Sequence, residues 1–191
     1  ILTEIGGTVG DIESLPFIEA IRQLKWTLPK SDYLVIHLTL VPYLASAKEL
    51  KTKPTQHSVK ELQSYGVNPH IIVCRTEHTL GNERKKKIAE FCNVDYDSVI
   101  EALDAETIYD VPLSLKKEKL DQIVLDKFGY QDTPETELTE WNKFLQRFKF
   151  SKKEITIGLI GKYIELKDAY ISIYESFIHA GAQNECKVNV E

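Results

Sequence analysis

The segment LVIHLTLVPYLASAKELKTKPTQHS, residues 34–58, predicts the fold more clearly than any other part of the chain. Its apolar run, residues 34–41, has strand length and is continuous rather than alternating, as in strands buried on both faces of a parallel sheet. The basic loop that follows contains Lys51 and Lys53 and leads into a helix that Thr55 can cap. A buried strand, a loop and a helix form the repeating unit of an α/β fold.

The same alternation continues on both sides of this segment. Three further apolar runs of strand length are residues 1–5, 71–74 and 99–103. Helical periodicity lies between the runs and predicts helices from Ser14 to just before Pro29, from Thr55 to Gly66, from about Asn82, and from about residue 116 to 128 with Gly129 as the stop. We therefore predict an α/β domain with a parallel sheet over residues 1–129.

The pattern changes after Gly129. Residues 130–136 are polar and include Pro134, which is typical of a domain boundary. An amphipathic helix is predicted over residues 137–150, so the linker covers residues 130–153. A new strand (155–160), a helix from Asp168 to near Gly181 and a last strand (187–191) then predict that a second α/β unit occupies residues 154–191.

Composition excludes several classes of protein. The 191 residues are 42% hydrophobic and 28% charged, which is typical of a soluble domain, and no apolar run is long enough to cross a bilayer. A formal charge of −5 argues against a general nucleic-acid binder. Cys74, Cys92 and Cys186 form no CxxC pair, and their scatter favours buried thiols in a reducing, cytoplasmic compartment.

The opening segment, ILTEIGGTVGDIES (residues 1–14), is rich in acids and glycines. Glu4 would lie at the carboxyl end of a predicted strand, where open α/β sheets bind ligands. One acid there suffices for Mg²⁺, which also takes substrate phosphates as ligands, but a solvated acid is the alternative. Asp11 and Glu13 precede a helix, so they either oppose its dipole or accept hydrogen bonds from a sugar or base.

The lysine loop, residues 51–56, indicates a ligand site more strongly than the acidic opening segment does. Lys51 and Lys53 converge with the unpaired amides of a helix start, and this combination favours a polyanion such as a triphosphate. Pro54 restrains the backbone there, although a solvated basic loop remains the alternative. A second basic run, Arg84-Lys85-Lys86-Lys87, begins another helix, and periodicity does not say which of its side chains faces a site.

Two catalytic signatures are missing from the sequence. It has no GxxxxGK[ST] loop for phosphates, and none of its cysteines lies in the Gly-x-Cys-x-Gly turn of an activated nucleophile. We therefore expect no catalytic residue in this chain.

Five motifs and the tail resemble one family. EIGGTVGDIES, HLTLVPYL, KELKTKPTQHSV, IIVCR and FCNV are similar, in order and spacing, to glutamine-hydrolysing CTP synthases, and TIGLIGKYIELKDAY resembles the start of their glutaminase domain. The resemblance implies an incomplete P-loop-type, dethiobiotin-synthetase-like domain, a linker helix and the first βαβ of a class I glutaminase. It also implies a reaction in which ATP phosphorylates O4 of UTP and ammonia from glutamine displaces the phosphate.

The resemblance also implies roles for individual residues. It makes Glu4 a Mg²⁺ ligand. It assigns Asp11, Ile12 and Glu13 to CTP as feedback inhibitor. UTP and CTP would share the loop residues Lys51, Thr52, Lys53, Pro54, Thr55 and Gln56, together with Lys87. Leu103, Asp104 and Ala105 would contact ATP, although the family often has Lys-Asp-Val there.

The resemblance further implies a homotetrameric parent whose P-loop precedes Ile1 and whose glutaminase triad follows Glu191, so the chain alone should be inactive. Two alternatives stay open at this point. One is another P-loop amidoligase. The other is a non-catalytic module that senses nucleotides or supports assembly.

Overall fold

The parallel sheet predicted from the apolar runs is present in the computed structural model, which describes residues 1–191 apart from the side chain of Lys167. The chain divides into two compact units, Ile1–Glu135 and Thr136–Glu191. The division falls inside the stretch predicted as the linker. Among the described residues, no helix combines the length and the apolar character that a membrane span requires.

The strands of the first unit are β1 (Ile36–Leu40), β2 (Tyr43–Leu44), β3 (Glu49–Leu50), β4 (Ile71–Thr76) and β5 (Val99–Leu103). They form a three-stranded parallel sheet in the order β1-β4-β5 and a small antiparallel hairpin, β2-β3. Its α-helices are α1 (Leu15–Thr27), α2 (Lys53–Ser64), α3 (Gly81–Cys92), α4 (Val111–Lys117) and α5 (Leu120–Lys127).

Helices cover the central strand on both sides. On one face, Ile72 and Cys74 of β4 are fully buried with Val59 of α2 and Ile88 of α3. On the other face, Ile71, Val73 and Ile100 pack with partly buried residues that include Leu115, Leu120 and Ile123. Full burial of such side chains contributes about 1.5–3 kcal/mol each, so packing on both faces of β4 stabilises the sheet.

The edge strand β1 does not follow the prediction that both of its faces are buried. Its exposure alternates along the strand. His37 and Thr39 are buried, whereas 67% of Leu38 is exposed. The prediction was wrong here because α2 covers one face of β1, and no described element covers the other.

Residues 1–5 do not form the predicted strand. They have no regular secondary structure, and Ile1 and Leu2 are fully exposed. A strand needs a hydrogen-bonding neighbour, and no described strand pairs with this segment. Instead, Ile5 and Val9 pack against a cluster that contains Ile18 of α1.

Two helix boundaries also differ from the prediction. α2 begins at Lys53 with Thr52 as its N-cap, so Thr55 lies inside the first turn and is fully buried. The predicted helix over residues 116–128 is two helices, α4 and α5, separated at Lys119, whose φ of +58° is left-handed. Periodicity continues through this break because a single residue of unusual φ leaves the apolar pattern unchanged.

The second unit is a parallel β-α-β arrangement with one additional helix. It contains α6 (Thr139–Phe150), β6 (Lys153–Ile157), α7 (Ile171–Gln183) and β7 (Cys186–Val190). β6 pairs in parallel with β7, from Lys153 opposite Cys186 to Ile157 opposite Val190. Gly181 of α7 allows close packing, because a Cβ there would lie 2.6 Å from the carbonyl oxygen of Cys186.

Candidate functional site

The three parallel strands end at a common edge of the sheet. In the register of the sheet, Leu40 of β1 lies opposite Arg75 of β4, and Thr76 of β4 lies opposite Leu103 of β5. The loops after these strands therefore leave the sheet side by side. This is the edge at which open α/β sheets bind ligands.

The hairpin β2-β3 holds the lysine loop at this edge. Tyr43 pairs with Leu50 across the hairpin, and the backbone N–H of Lys51 donates to the carbonyl oxygen of Pro42 at 2.9 Å. The Tyr43 ring also meets the His78 ring edge-on, with centroids 4.3 Å apart. These contacts fix the backbone of Lys51 immediately before α2 begins.

Three polar side chains of the predicted nucleotide loop are buried within the protein. Gln56 Nε2 donates to Thr52 Oγ1 at 3.1 Å. Thr55 Oγ1 donates to the carbonyl oxygen of Leu40 at 3.3 Å and accepts from Thr39 Oγ1 at 3.3 Å. In this conformation these side chains shape the loop, and the side chains that it presents to solvent are the exposed Lys53 and Pro54 and the partly exposed Lys51.

The basic run on α3 divides into members that face different partners. Lys85 Nζ lies 2.5 Å from Glu118 Oε2, and Lys86 Nζ lies 3.9 Å from Glu90 Oε1. Arg84 and Lys87, one helical turn apart, both act electrostatically on Glu49 of the hairpin. The structure therefore separates Lys87 from its two neighbours, which periodicity alone could not do.

Glu49 lies among the cations of this edge. Its carboxylate pairs with the Lys51 ammonium. The hydrogen bond from Lys51 lowers the pKa of Glu49, as do the charges of Lys51, Arg84 and Lys87, while desolvation opposes them. Lys51 and Lys87, predicted from distant segments, thus act on one carboxylate. We call Glu49, Lys51, Arg84 and Lys87 the basic cluster.

The segment predicted to contact ATP lies at the same sheet edge. Leu103, Asp104 and Ala105 are exposed after β5. The backbone N–H of Asp104 donates to the carbonyl oxygen of Thr76 at 3.0 Å, and its carboxylate pairs with Arg75 Nε at 3.0 Å. This ion pair joins the ends of β4 and β5.

The acidic segment forms a separate groove. Glu4 and Glu13 line it together with Phe17, and its volume is about 240 Å³. Asp11 takes part in a turn instead, because its carboxylate accepts the N–H of Thr8 at 2.7 Å. Ile12 is exposed.

Gly10 of the acidic segment lies near the end of α2, at the opposite end of that helix from Lys53. A Cβ at Gly10 would lie 3.7 Å from Glu61 Cγ, near the end of α2, whereas Lys53 begins that helix. With a rise of 1.5 Å per residue, Glu61 and Lys53 are about 12 Å apart along the axis. All residues lining the acidic groove come from the segment 4–17.

The acidic groove offers a limited set of metal ligands. Within the described part of the chain, no three His, Cys, Asp or Glu residues are grouped closely enough to hold a metal ion by themselves. Glu4 and Glu13 nevertheless both line one groove. This donor set fits Mg²⁺, which usually takes one or two carboxylates and completes its coordination with water and phosphate oxygens.

Three residues of the sheet edge were not predicted as site residues from the sequence: Glu49, Arg84 and Arg75. Glu49 precedes Lys51 by two residues, so the two would share a face of an extended strand. Arg84 precedes Lys87 by one helical turn. Both signals were available, but neither shows that the hairpin and α3 meet. Arg75 has no comparable signal in the sequence.

Comparison with known proteins gives one consistent result. A family model described as the CTP synthase N-terminus matches residues 1–130. Over 190 residues the chain is 62% identical to a CTP synthase of Cytophaga hutchinsonii, covering 100% of the chain and 35% of that protein. Over 189 residues it is 57% identical to a CTP synthase of Methanocaldococcus jannaschii, covering 99% of the chain and again 35% of the relative. The chain thus spans about a third of the length of these relatives.

Proposed function

The chain belongs to the CTP synthase family, and we propose that it supplies the triphosphate-binding part of an enzyme that converts UTP into CTP. One observation carries this proposal: at the ligand-binding edge of the sheet the Lys51 ammonium pairs with Glu49, and Arg84 and Lys87 of α3 act electrostatically on the same carboxylate. Converging cations beside a helix start favour a polyanion. The family match favours CTP synthase over another P-loop amidoligase.

In the proposed reaction, ATP phosphorylates O4 of UTP, and ammonia then displaces that phosphate to leave CTP, ADP and inorganic phosphate. The ammonia comes from glutamine, which we propose is hydrolysed in a class I glutaminase domain that begins near residue 154. The exchange needs phosphorylation first because O4 of the pyrimidine is a poor leaving group. We propose that the P-loop and the glutaminase triad lie outside residues 1–191, so no residue here is assigned a catalytic role.

The lysine loop would hold the triphosphate shared by UTP and CTP. Lys51, Lys53 and Lys87 would donate to its oxygens, with the backbone N–H groups of Thr52, Lys53 and Thr55 completing the contacts. Pro54 in the first turn of α2 supports this assignment, because its fixed φ restricts the loop before a ligand binds. The buried side chains of Thr52, Thr55 and Gln56 would act mainly by holding the loop in shape.

The sheet edge after β5 would hold ATP. Leu103, Asp104 and Ala105 lie on the same edge as the basic cluster, so a phosphoryl donor and its acceptor could lie side by side. The ion pair between Asp104 and Arg75 supports an ordered loop there.

The acidic groove would serve the metal and the inhibitor. We propose that Glu4 holds Mg²⁺, which would neutralise charge on the transferred phosphoryl group when bound. Asp11, Ile12 and Glu13 would contact CTP as feedback inhibitor. Among them, Glu13 is the one that lines the groove together with Glu4.

We propose that the parent enzyme is a cytoplasmic homotetramer that uses glutamine, with neither nucleic acid nor membrane as a partner. Three free cysteines, two of them buried, suit a reducing compartment.

The experiment that tests the triphosphate site compares neighbouring lysines of α3 in the full-length protein. Lys87→Ala and Lys51→Ala should each weaken UTP and CTP binding about tenfold, the scale of a lost charge-assisted contact. Lys86→Ala removes the same charge from the same helix, but Lys86 faces Glu90, so it should change affinity less than about twofold. Calorimetric titration measures the dissociation constants of UTP and CTP for each variant and for wild type. Equal effects of Lys86→Ala and Lys87→Ala would contradict the proposed site.

A measurement of CTP formation then distinguishes an enzyme from a non-catalytic sensor module. Full-length protein that binds CTP with these residues, yet forms none from UTP, ATP and glutamine, would be a sensor. CTP formation that is lost with Lys51→Ala would establish the enzyme.

A further inference from the structure

The basic cluster contains one acid among its cations. Glu49 lies on β3 two residues before Lys51, with buried Leu50 between them, so both charged side chains leave the strand on its outer face. The Glu49 carboxylate pairs with the Lys51 ammonium. Both side chains are partly exposed, with 44% of Glu49 and 42% of Lys51 accessible to solvent. A dissolved anion can therefore reach the same ammonium.

Three cations act on the Glu49 carboxylate. Lys51 acts on it from its own hairpin, and Arg84 and Lys87 act on it from α3. Neither cation of α3 is paired with Glu49 within 4.0 Å, so both act on it through space. Arg84 also donates from Nη1 to the carbonyl oxygen of Leu80 at 3.2 Å, which holds its side chain near the start of α3.

We propose that Glu49 is an internal counter-ion of the triphosphate site, which competes with nucleotide phosphates for Lys51 and so sets how tightly the site binds. This inference rests on the proposed function. A carboxylate held among these cations offers Lys51 the same kind of partner as a phosphate oxygen. A triphosphate must then either displace Glu49 from Lys51 or bind beside its negative charge, and both weaken binding.

The proposal predicts which ligands Glu49 affects. UTP and CTP carry the same triphosphate, so Glu49 should weaken both equally and leave the ratio of their affinities unchanged. Inorganic triphosphate is also a polyanion but has no base, so Glu49 should weaken its binding as well. Cytidine and uridine, which lack phosphates, should not respond.

Neutralising Glu49 in the full-length protein tests the proposal. Glu49→Gln keeps the size of the side chain and removes its charge, so UTP, CTP and inorganic triphosphate should each bind about three- to tenfold more tightly at low salt. This increase in affinity should be smaller at high salt, because salt screens the repulsion between Glu49 and the phosphates that the substitution removes. Glu19→Gln is the matched control. It also removes an exposed, ion-paired carboxylate, but one that pairs with Arg22 on α1.

Weaker nucleotide binding in Glu49→Gln would overturn the proposal, because it would show that Glu49 orients Lys51 for the phosphates. Unchanged affinity, or a gain equal to that of Glu19→Gln, would overturn it as well. Glu49→Ala provides a second variant, for which the same tightening is expected if its thermal unfolding matches wild type.

Lys51→Ala separates failure of this inference from failure of the proposed function. If Lys51→Ala leaves nucleotide binding unchanged, the triphosphate site itself is wrong. If Lys51→Ala weakens binding while Glu49→Gln does not tighten it, only the counter-ion role fails. When Glu49→Gln is combined with Lys51→Ala, it should still increase nucleotide affinity, because Arg84 and Lys87 remain. The increase should be smaller than in a protein that keeps Lys51.

Discussion

Lys85 Nζ lies 2.5 Å from Glu118 Oε2, and this ion pair joins α3 to the end of α4. Both side chains are mostly buried, with 18% of Lys85 and 23% of Glu118 exposed. Glu118 Oε2 also accepts the backbone N–H of Glu101 at 3.0 Å, and the carboxylate of Glu101 accepts the N–H of Leu80 at 2.5 Å. The network therefore holds the start of α3, the helix that presents Arg84 and Lys87 to the hairpin.

Removing Glu118 should loosen this helix. Glu118→Ala leaves Lys85 and the N–H of Glu101 without their partner, so we expect unfolding free energy to fall by about 2–4 kcal/mol. Urea unfolding measures the change. Glu90→Ala is the control, since its pair with Lys86 is exposed and should contribute no more than about 0.5 kcal/mol. Similar losses in the two variants would show that the network does not stabilise α3.

Gly181 should be intolerant of even one methyl group. Its missing Cβ would lie 2.6 Å from the carbonyl oxygen of Cys186 and 3.0 Å from Val188 Cγ2. Gly181→Ala should therefore destabilise the second unit by about 1–3 kcal/mol, although alanine favours a helix by about 1 kcal/mol. Thermal unfolding followed by circular dichroism measures this. Gly158→Ala should be neutral, because a Cβ there meets no atom within 4 Å.

Buried His37 should make stability fall at acid pH. Its Nε2 lies 2.8 Å from Ser58 Oγ, and burial lowers its pKa below the ordinary value of 6.5. Between the lowered pKa and 6.5 the unfolded chain binds the proton and the folded chain does not, so stability decreases as pH falls through this window. Above it, the contribution is constant.

Urea unfolding between pH 5 and pH 8 measures this dependence, and His37→Gln should make it shallower. Burial also lowers the pKa of His70, so some dependence should remain in the variant. An unchanged slope in His37→Gln would show that His37 does not contribute. His57→Gln, at an exposed position of α2, serves as the control.

The two acids of the groove should have different effects on the full-length enzyme. Glu4→Ala should abolish Mg²⁺-dependent CTP formation and leave glutamine hydrolysis measurable, because in the proposed reaction only the phosphoryl transfer uses the metal. Glu13→Ala should relieve CTP inhibition more than it lowers turnover. Steady-state rates at several CTP concentrations measure both. Unaltered synthesis in Glu4→Ala, or an unchanged inhibition curve in Glu13→Ala, would contradict the respective role.

Local patterns in the chain were enough to predict most of its elements. The apolar runs at residues 34–41, 71–74 and 99–103 correspond to β1, β4 and β5, and they pair in parallel. Their hydrophobicity, together with the helical periodicity between them, already predicts a sheet with helices packed against it. The same reasoning failed for residues 1–5, because an apolar run becomes a strand only beside a partner, which no local pattern reveals.

The candidate site needed the folded chain. KTKP indicated a polyanion site from local chemistry alone, but the run Arg84–Lys87 could not show which side chains face the hairpin. Packing decides this, since α3 turns Lys85 toward Glu118 and leaves Arg84 and Lys87 to act electrostatically on Glu49. Electrostatic coupling depends on distance in space and not along the chain. Residue order therefore specified the strands, helices and basic loop, while three-dimensional packing selected the charges that act together.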